Sequence, residues 1–154
     1  MKRRPTKTAH HIALALAMVI PIFLSLSYFF IGYLNLDATL QTEAEANALF
    51  ASQIIHSNPD YWRFEQIRLQ EFLSRRLIKT HNEIRRIVDL DNATVAEHRD
   101  QVAYPVMMRS HHLYDSGKVV ANLEIVRSLR PLLWRTLFVG SFGYLLSFAL
   151  YLSV

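Results

Sequence analysis

The chain contains no cysteine, only four glycines, and no acidic residue before Asp37 or after Glu124. Without cysteine there is no disulfide framework, thiol nucleophile or thiolate metal site, and the redox state of the compartment is left open. So few glycines leave no loop able to cradle a phosphate through bare backbone amides. The absence of acids at both ends separates the charges. All 13 acidic residues and 12 of the 17 basic ones fall between Leu36 and Arg130, giving that segment a formal charge of −1. The overall charge of +4 comes from the N-terminal tail and Arg135. A nucleic-acid-binding domain needs a basic face on a folded unit, so nucleic acid is not an expected partner.

Two long uncharged runs are present instead. Residues 12–34, "IALALAMVIPIFLSLSYFFIGYL", form one of 23 residues, and residues 136–154, "TLFVGSFGYLLSFALYLSV", form another of 19. A helix crossing a hydrocarbon core about 30 Å thick needs roughly 20 such residues, and neither run has the polar face of a soluble core helix. A cleaved signal peptide would have an apolar region of roughly 7–15 residues with small residues close behind it. Here the alanine-rich "EAEANA" (43–48) follows only after Asp37 and itself carries Glu43 and Glu45, so an uncleaved anchor fits better. The expected organisation is a basic tail (1–11), a first transmembrane helix (12–35), an outer domain (36–130) and a second transmembrane helix (131–154). Lys2, Arg3, Arg4 and Lys7 keep the tail in the cytoplasm. The outer loop is longer than about 60 residues, a length at which its own basic residues no longer oppose export. Arg127, Arg130, Trp134 and Arg135 are expected to anchor the outer water–lipid boundary, where indole rings and snorkelling guanidinium groups are favoured.

Within the outer segment, Leu40, Ala44, Ala48, Ala51 and Ile55 are spaced as one stripe of a helix continuing the first span. A second helix is expected from Asn58, as N-cap, and Pro59, at the first position, with Trp62, Leu69, Phe72 and Leu73 on one face and a Glu71–Arg75 pair. "EIRRIVDLDNATVAEH" reads as two strands around Asp89-Leu90-Asp91-Asn92. "YPVMMRSHHLYDSGKVVANLEIVRS" reads as a hairpin turning at Asp115, Ser116 and Gly117. Val119, Ala121, Leu123 and Ile125 make the buried face of the last strand. The order helix, helix, antiparallel meander is that of an α+β layer. There is no internal repeat, low-complexity tract or flexible linker.

The stretches "LQTEAEANALFASQIIHSNPDYWRFEQIRL", "RRIVDLDNATVAEH" and "HHLYDSGKVVANLEIVRSLRPLL" resemble the periplasmic PAS-like (Cache-type) sensor regions of bacterial membrane histidine kinases and diguanylate cyclases. The last of them joins turn, strand and second membrane helix without a break. Asn92 stands where such sheets often have glycine, and asparagine also tolerates a left-handed backbone. The resemblance implies a small PAS-like sheet, a signal-input role in the inner membrane, a homodimer, and a small-molecule or periplasmic-protein stimulus. It supplies no binding motif to carry over. Family members continue into cytoplasmic output domains, and no phosphorylation-site, ATP-binding or GGDEF motif occurs up to Val154.

Adjacent strand residues face opposite ways, so His111 and His112 cannot chelate one metal, nor Ser110 and His111 form a nucleophile–base pair. Asp89 and Asp91 suit a turn that bonds its own backbone. No catalytic residue, metal or cofactor is therefore expected. In PAS-like folds a ligand sits between sheet and helices, where Tyr104, Arg109, His111 and Tyr114 would supply the polar contacts and Arg109 would grip a carboxylate. A scaffold without ligand, or a small modulator of a separate membrane kinase or envelope complex, is the alternative. Pro21 should kink or soften the first span, and Ala13 with Ala17, and Gly143 with Ser147, offer close helix approach.

Topology is the first test. A reporter fused at Asn92 should be active only in its exported form, and one fused after Val154 only in its cytoplasmic form. A cytoplasmic Asn92 would invert the assignment.

Overall fold

A computed structural model describes residues 7–75 and 83–153 of the chain, with side-chain surroundings for 14–75, 83–149, 151 and 152. Lys2, Arg3 and Arg4 of the basic tail lie outside the described residues, as does Val154, and the side chain of Ala13 is not among those described. Two compact units result: one from the two terminal helical stretches, up to Leu34 and from Pro131, and one from Asn35–Arg130. The elements are α1 (Lys7–Ser57), a 3-10 turn (Trp62–Phe64), α2 (Gln66–Ser74), β1 (Glu83–Asp89), β2 (Thr94–Arg99), β3 (Val106–Asp115), β4 (Lys118–Ser128) and α3 (Arg130–Ser153). This is an α+β arrangement, with two long apolar helices flanking a small antiparallel sheet.

In the outer unit, α1 has no proline or glycine between Asp37 and Ser57 to interrupt it. Leu40, Ala44, Ala48, Ala51 and Ile55 are all at most 1% exposed, as their spacing predicts. Ala48, Ala51 and Ile55 of this stripe pack in one core cluster with Ile87, Leu113, Ala121 and Leu123 of the sheet. The second helix starts later than expected. Asn58 donates its side-chain amide to the Glu65 carboxylate instead of capping backbone amides, and its carbonyl takes the N–H groups of Tyr61 and Trp62. A 3-10 turn therefore intervenes, and α2 begins only at Gln66. The expected inward face survives: Trp62, Leu69 and Leu73 are buried and Phe72 is partly so. Glu71 and Arg75 pair at 2.6 Å.

The sheet is fully antiparallel but is not a meander: its strand order is β2-β1-β4-β3. The burial pattern accounts for this. Ala121, Leu123 and Ile125 of β4 and Ile87 of β1 are completely buried, so these two strands take the centre. β2 contributes one buried residue, Ala96, with Val95 partly buried beside it, and lies at an edge. The residues between β2 and β3 must consequently carry the chain to the opposite edge. Both tight turns use the expected residues. Asp89 Oδ1 accepts the N–H groups of Asp91 (2.9 Å) and Ala93 (3.0 Å), and Asn92 is left-handed at φ 62°. Ser116 (φ 48°) and Gly117 (φ 81°) form a two-residue turn with both φ positive, whose twist matches that of the strands.

In the helical unit, the stretch of α1 up to Leu34 is continuous through Pro21, and Ser25 Oγ donates to the Pro21 carbonyl at 2.7 Å. A Cβ added at Gly140 would stand 2.7 Å from Ser25 Oγ, and one at Gly143 would stand 3.4 Å from Pro21 Cβ. Gly143 thus serves close packing within one chain. Both helices are long and apolar enough to cross a membrane, over Leu14–Ser57 and Arg130–Ala149, and most of their large apolar side chains face outward.

Leu123 of β4 is fully buried, paired with Ile87 of β1 and in one core cluster with Ala48 and Ala51 of α1. Leu123→Ala should cost about 2–5 kcal/mol, the range for truncating a buried leucine, and Leu123→Asp should prevent cooperative folding. Urea unfolding of residues 36–130 followed by circular dichroism measures both. An unchanged midpoint would place Leu123 outside the core.

Candidate functional site

The strand period that buries Ala121, Leu123 and Ile125 also turns Arg127 inward, and the period that buries Ile87 turns Glu83 and Arg85 inward. β1 and β4 are neighbours with Glu83 opposite Arg127, so the three charges meet on the helix-covered face of the sheet. Glu43, beside Ala44 on α1, completes the group. Arg127 Nη2 lies 2.6 Å from Glu83 Oε2 and 2.6 Å from Glu43 Oε2, while its Nε donates to Glu83 Oε2 at 3.0 Å. Arg85 Nε donates to the other oxygen of Glu83, and its Nη2 is 3.6 Å from Glu43. Two carboxylates thus face two guanidinium groups. Glu83 is fully buried, and the Arg85 and Arg127 side chains are only 10% and 12% exposed.

Burial by itself would lower the pKa of Arg127, since it penalises the charged form. The hydrogen bonds that Arg127 donates to Glu83 and Glu43, together with the negative fields of those carboxylates, outweigh that penalty and hold the pKa above the ordinary arginine value. A cation with a raised folded-state pKa stabilises at every pH below its ordinary value and is lost only as pH rises past the raised one. Arg127 therefore remains charged across the physiological range.

Arg109 of β3 makes a second ion pair across the same interface, to Asp37 of α1, and its Nη1 donates to the Met108 carbonyl at 3.0 Å. The end of the outer unit where the chain enters and leaves is thus clamped by charge. Its opposite end is closed by Ile55, Trp62, Leu69, Leu73 and Leu113. Arg63 adds a contact at 3.5 Å to Asp89 there.

The four residues expected around a ligand do not converge. Arg109 and His111 share the inward face of β3, but the Arg109 guanidinium is taken by Asp37. Tyr114 lies beyond a register shift, half-exposed, with its ring edge-on to His112 at 6.3 Å. Tyr104 precedes the strand and is 79% exposed. Val106 pairs with Ser128 and Tyr114 with Val119, so roughly 25 Å of strand separates the two tyrosines. His111 and His112 point to opposite faces, and His112 Nδ1 meets Asn122 Oδ1 at 2.6 Å. Among the described residues no group of three or more His, Asp and Glu side chains is placed to hold a metal ion. A cavity of about 700 Å³ lies between the apolar helices, lined by Leu14, Ala17, Met18, Tyr144, Leu145 and Phe148.

The residues expected at the lipid boundary also divide. Trp134 is 68% exposed and Arg130 and Arg135 are exposed, whereas Arg127 points into the outer unit because its strand parity requires it. Extending the alternation of β4 by two residues past Ile125 would have shown this. Glu83 and Arg85 carried the same signal in "EIRRIVD". Comparison with protein-family models, curated proteins and solved structures finds no match.

Removing one partner of a buried pair leaves an uncompensated charge. Arg127→Met should destabilise residues 36–130 by about 3–5 kcal/mol, and adding Glu83→Gln should recover part of the loss. Urea midpoints of the two single variants and the double variant test the coupling. Strict additivity would show that the two residues do not interact.

Proposed function

We propose that this protein is a membrane-anchored, extracytoplasmic signal-input module of a bacterial signal-transduction protein, of the type that drives a histidine kinase or diguanylate cyclase. The observation that carries this reading is continuity. α1 runs unbroken from Lys7 to Ser57, and only Leu129 stands between the end of β4 and the start of α3. A rearrangement of the outer sheet therefore has no slack linker in which to dissipate on its way to either candidate span. Asp37, Glu43, Arg109 and Arg127 tie α1 to the sheet by directional ion pairs, which suits an element with discrete alternative arrangements. The N-terminal tail is cytoplasmic, residues 36–130 are periplasmic, and α3 returns to the cytoplasm.

The signalling unit is a homodimer formed through the outward side of α1. That side carries Thr39, Thr42, Ala46, Leu49 and Gln53 at alternating spacings of three and four, without a charge. Leu49 is 64% exposed. The dispersal of Tyr104, Arg109, His111 and Tyr114 favours a periplasmic protein over a small ligand as the stimulus.

The test needs no knowledge of the stimulus. With a kinase output domain fused after Val154, Glu43→Gln should shift basal output. Several glycines inserted after Ser128 should abolish that shift while leaving export intact. Single cysteines along residues 38–52, in a chain that has none of its own, should cross-link two copies with a period near 3.6 residues. Output indifferent to Glu43→Gln, or a shift that survives the glycine insertion, would identify a passive anchor or scaffold instead.

A further inference from the structure

Three consecutive carbonyls between β2 and β3 are taken by the three residues at which the chain leaves the sheet. Ser128 Oγ donates to the Ala103 carbonyl at 2.5 Å, Arg130 Nε to that of Tyr104 at 3.1 Å, and Leu129 N–H to that of Pro105 at 2.8 Å. Pro105 has no N–H to satisfy. This short strap is therefore fixed to the first residue of α3, and its carbonyls need no water. The Tyr104 side chain makes no use of that order within the unit, being 79% exposed while its backbone is held.

We infer that Tyr104 is an interfacial anchor, seated in the headgroup region of the membrane that α3 enters, so that the outer sheet is attached to the lipid surface as well as to the spans. The inference rests on the reading of α3 as a membrane span. Three physical points lead to it. A carbonyl is tolerated near the hydrocarbon boundary where it is already hydrogen-bonded, and those of Ala103, Tyr104 and Pro105 are. Tyrosine has an apolar ring and a polar hydroxyl, the combination that concentrates at the water–lipid boundary. Arg130, exposed and bonded to the Tyr104 carbonyl, places a cation beside it for a headgroup phosphate. The occupant of this surface is accordingly a phospholipid interface.

The absence of native cysteine allows a nitroxide to be placed at single sites in the full chain, reconstituted in phosphatidylcholine vesicles. The sites are Tyr104→Cys, Asp91→Cys in the turn at the far end of the sheet, and Leu137→Cys within α3. The ratio of collision rates with oxygen and with a water-soluble nickel chelate reads depth. The label at 104 should give a ratio between those at 91 and 137, and should become more mobile and more accessible to nickel when Ser128→Ala removes one strap bond. A label at 104 indistinguishable from that at 91, with 137 still shielded, would overturn the anchor while leaving the span intact. A label at 137 as accessible to nickel as that at 91 would overturn the span itself, and the anchor with it.

Discussion

The grip of Arg127 on Glu83 and Glu43 is the contact on which the rest of the outer unit depends. It joins the last strand to the first strand and both to α1. Such groups contribute little net stability, because each charge loses its hydration on burial. They are directional, however, and the packing around them is not. The face of α1 that meets the sheet is largely alanine, with little relief to resist sliding along the helix axis. The ion pairs of Asp37 and Glu43 distinguish one register of helix and sheet from the next. An interface smooth in its apolar part and selective in its polar part takes its register from the ion pairs.

The strand order follows from the same requirement. Glu83 and Arg127 face each other only because β1 and β4 are adjacent, with β2 and β3 displaced to the edges. A meander would have placed β2 beside β3 and left Arg127 on an edge strand without Glu83. The central position of β4 gives it two strand neighbours and a covering helix, and it is also the strand that continues into α3. The most constrained element of the outer unit is thus the one that leaves it.

Much of this was legible beforehand because it is local. The stripe Leu40, Ala44, Ala48, Ala51 and Ile55, both turns, the face of β4 and the continuity of α1 depend on period and turn chemistry within a few residues. The cluster was only partly legible. Alternation puts Glu83, Arg85 and Arg127 inward, but a charged residue at the end of a strand next to an apolar run reads equally well as a membrane-boundary anchor. The start of α2 was misplaced because Asn58, a good N-cap by type, bonds Glu65 seven residues away. Nothing in the local pattern sets that preference.

The sequence by itself determined the two apolar helices, the alternation of each strand and the division of charge between outer segment and tail. These follow from side-chain transfer energies and backbone periodicity, which act residue by residue. Only the tertiary structure decided which strands are neighbours, that Arg127 serves the interior instead of the boundary, and that Tyr104 and Tyr114 lie at opposite ends of the sheet. Each of those outcomes depends on pairing between segments tens of residues apart. There the competition is between whole arrangements of buried surface, and no single stretch of sequence contains both partners.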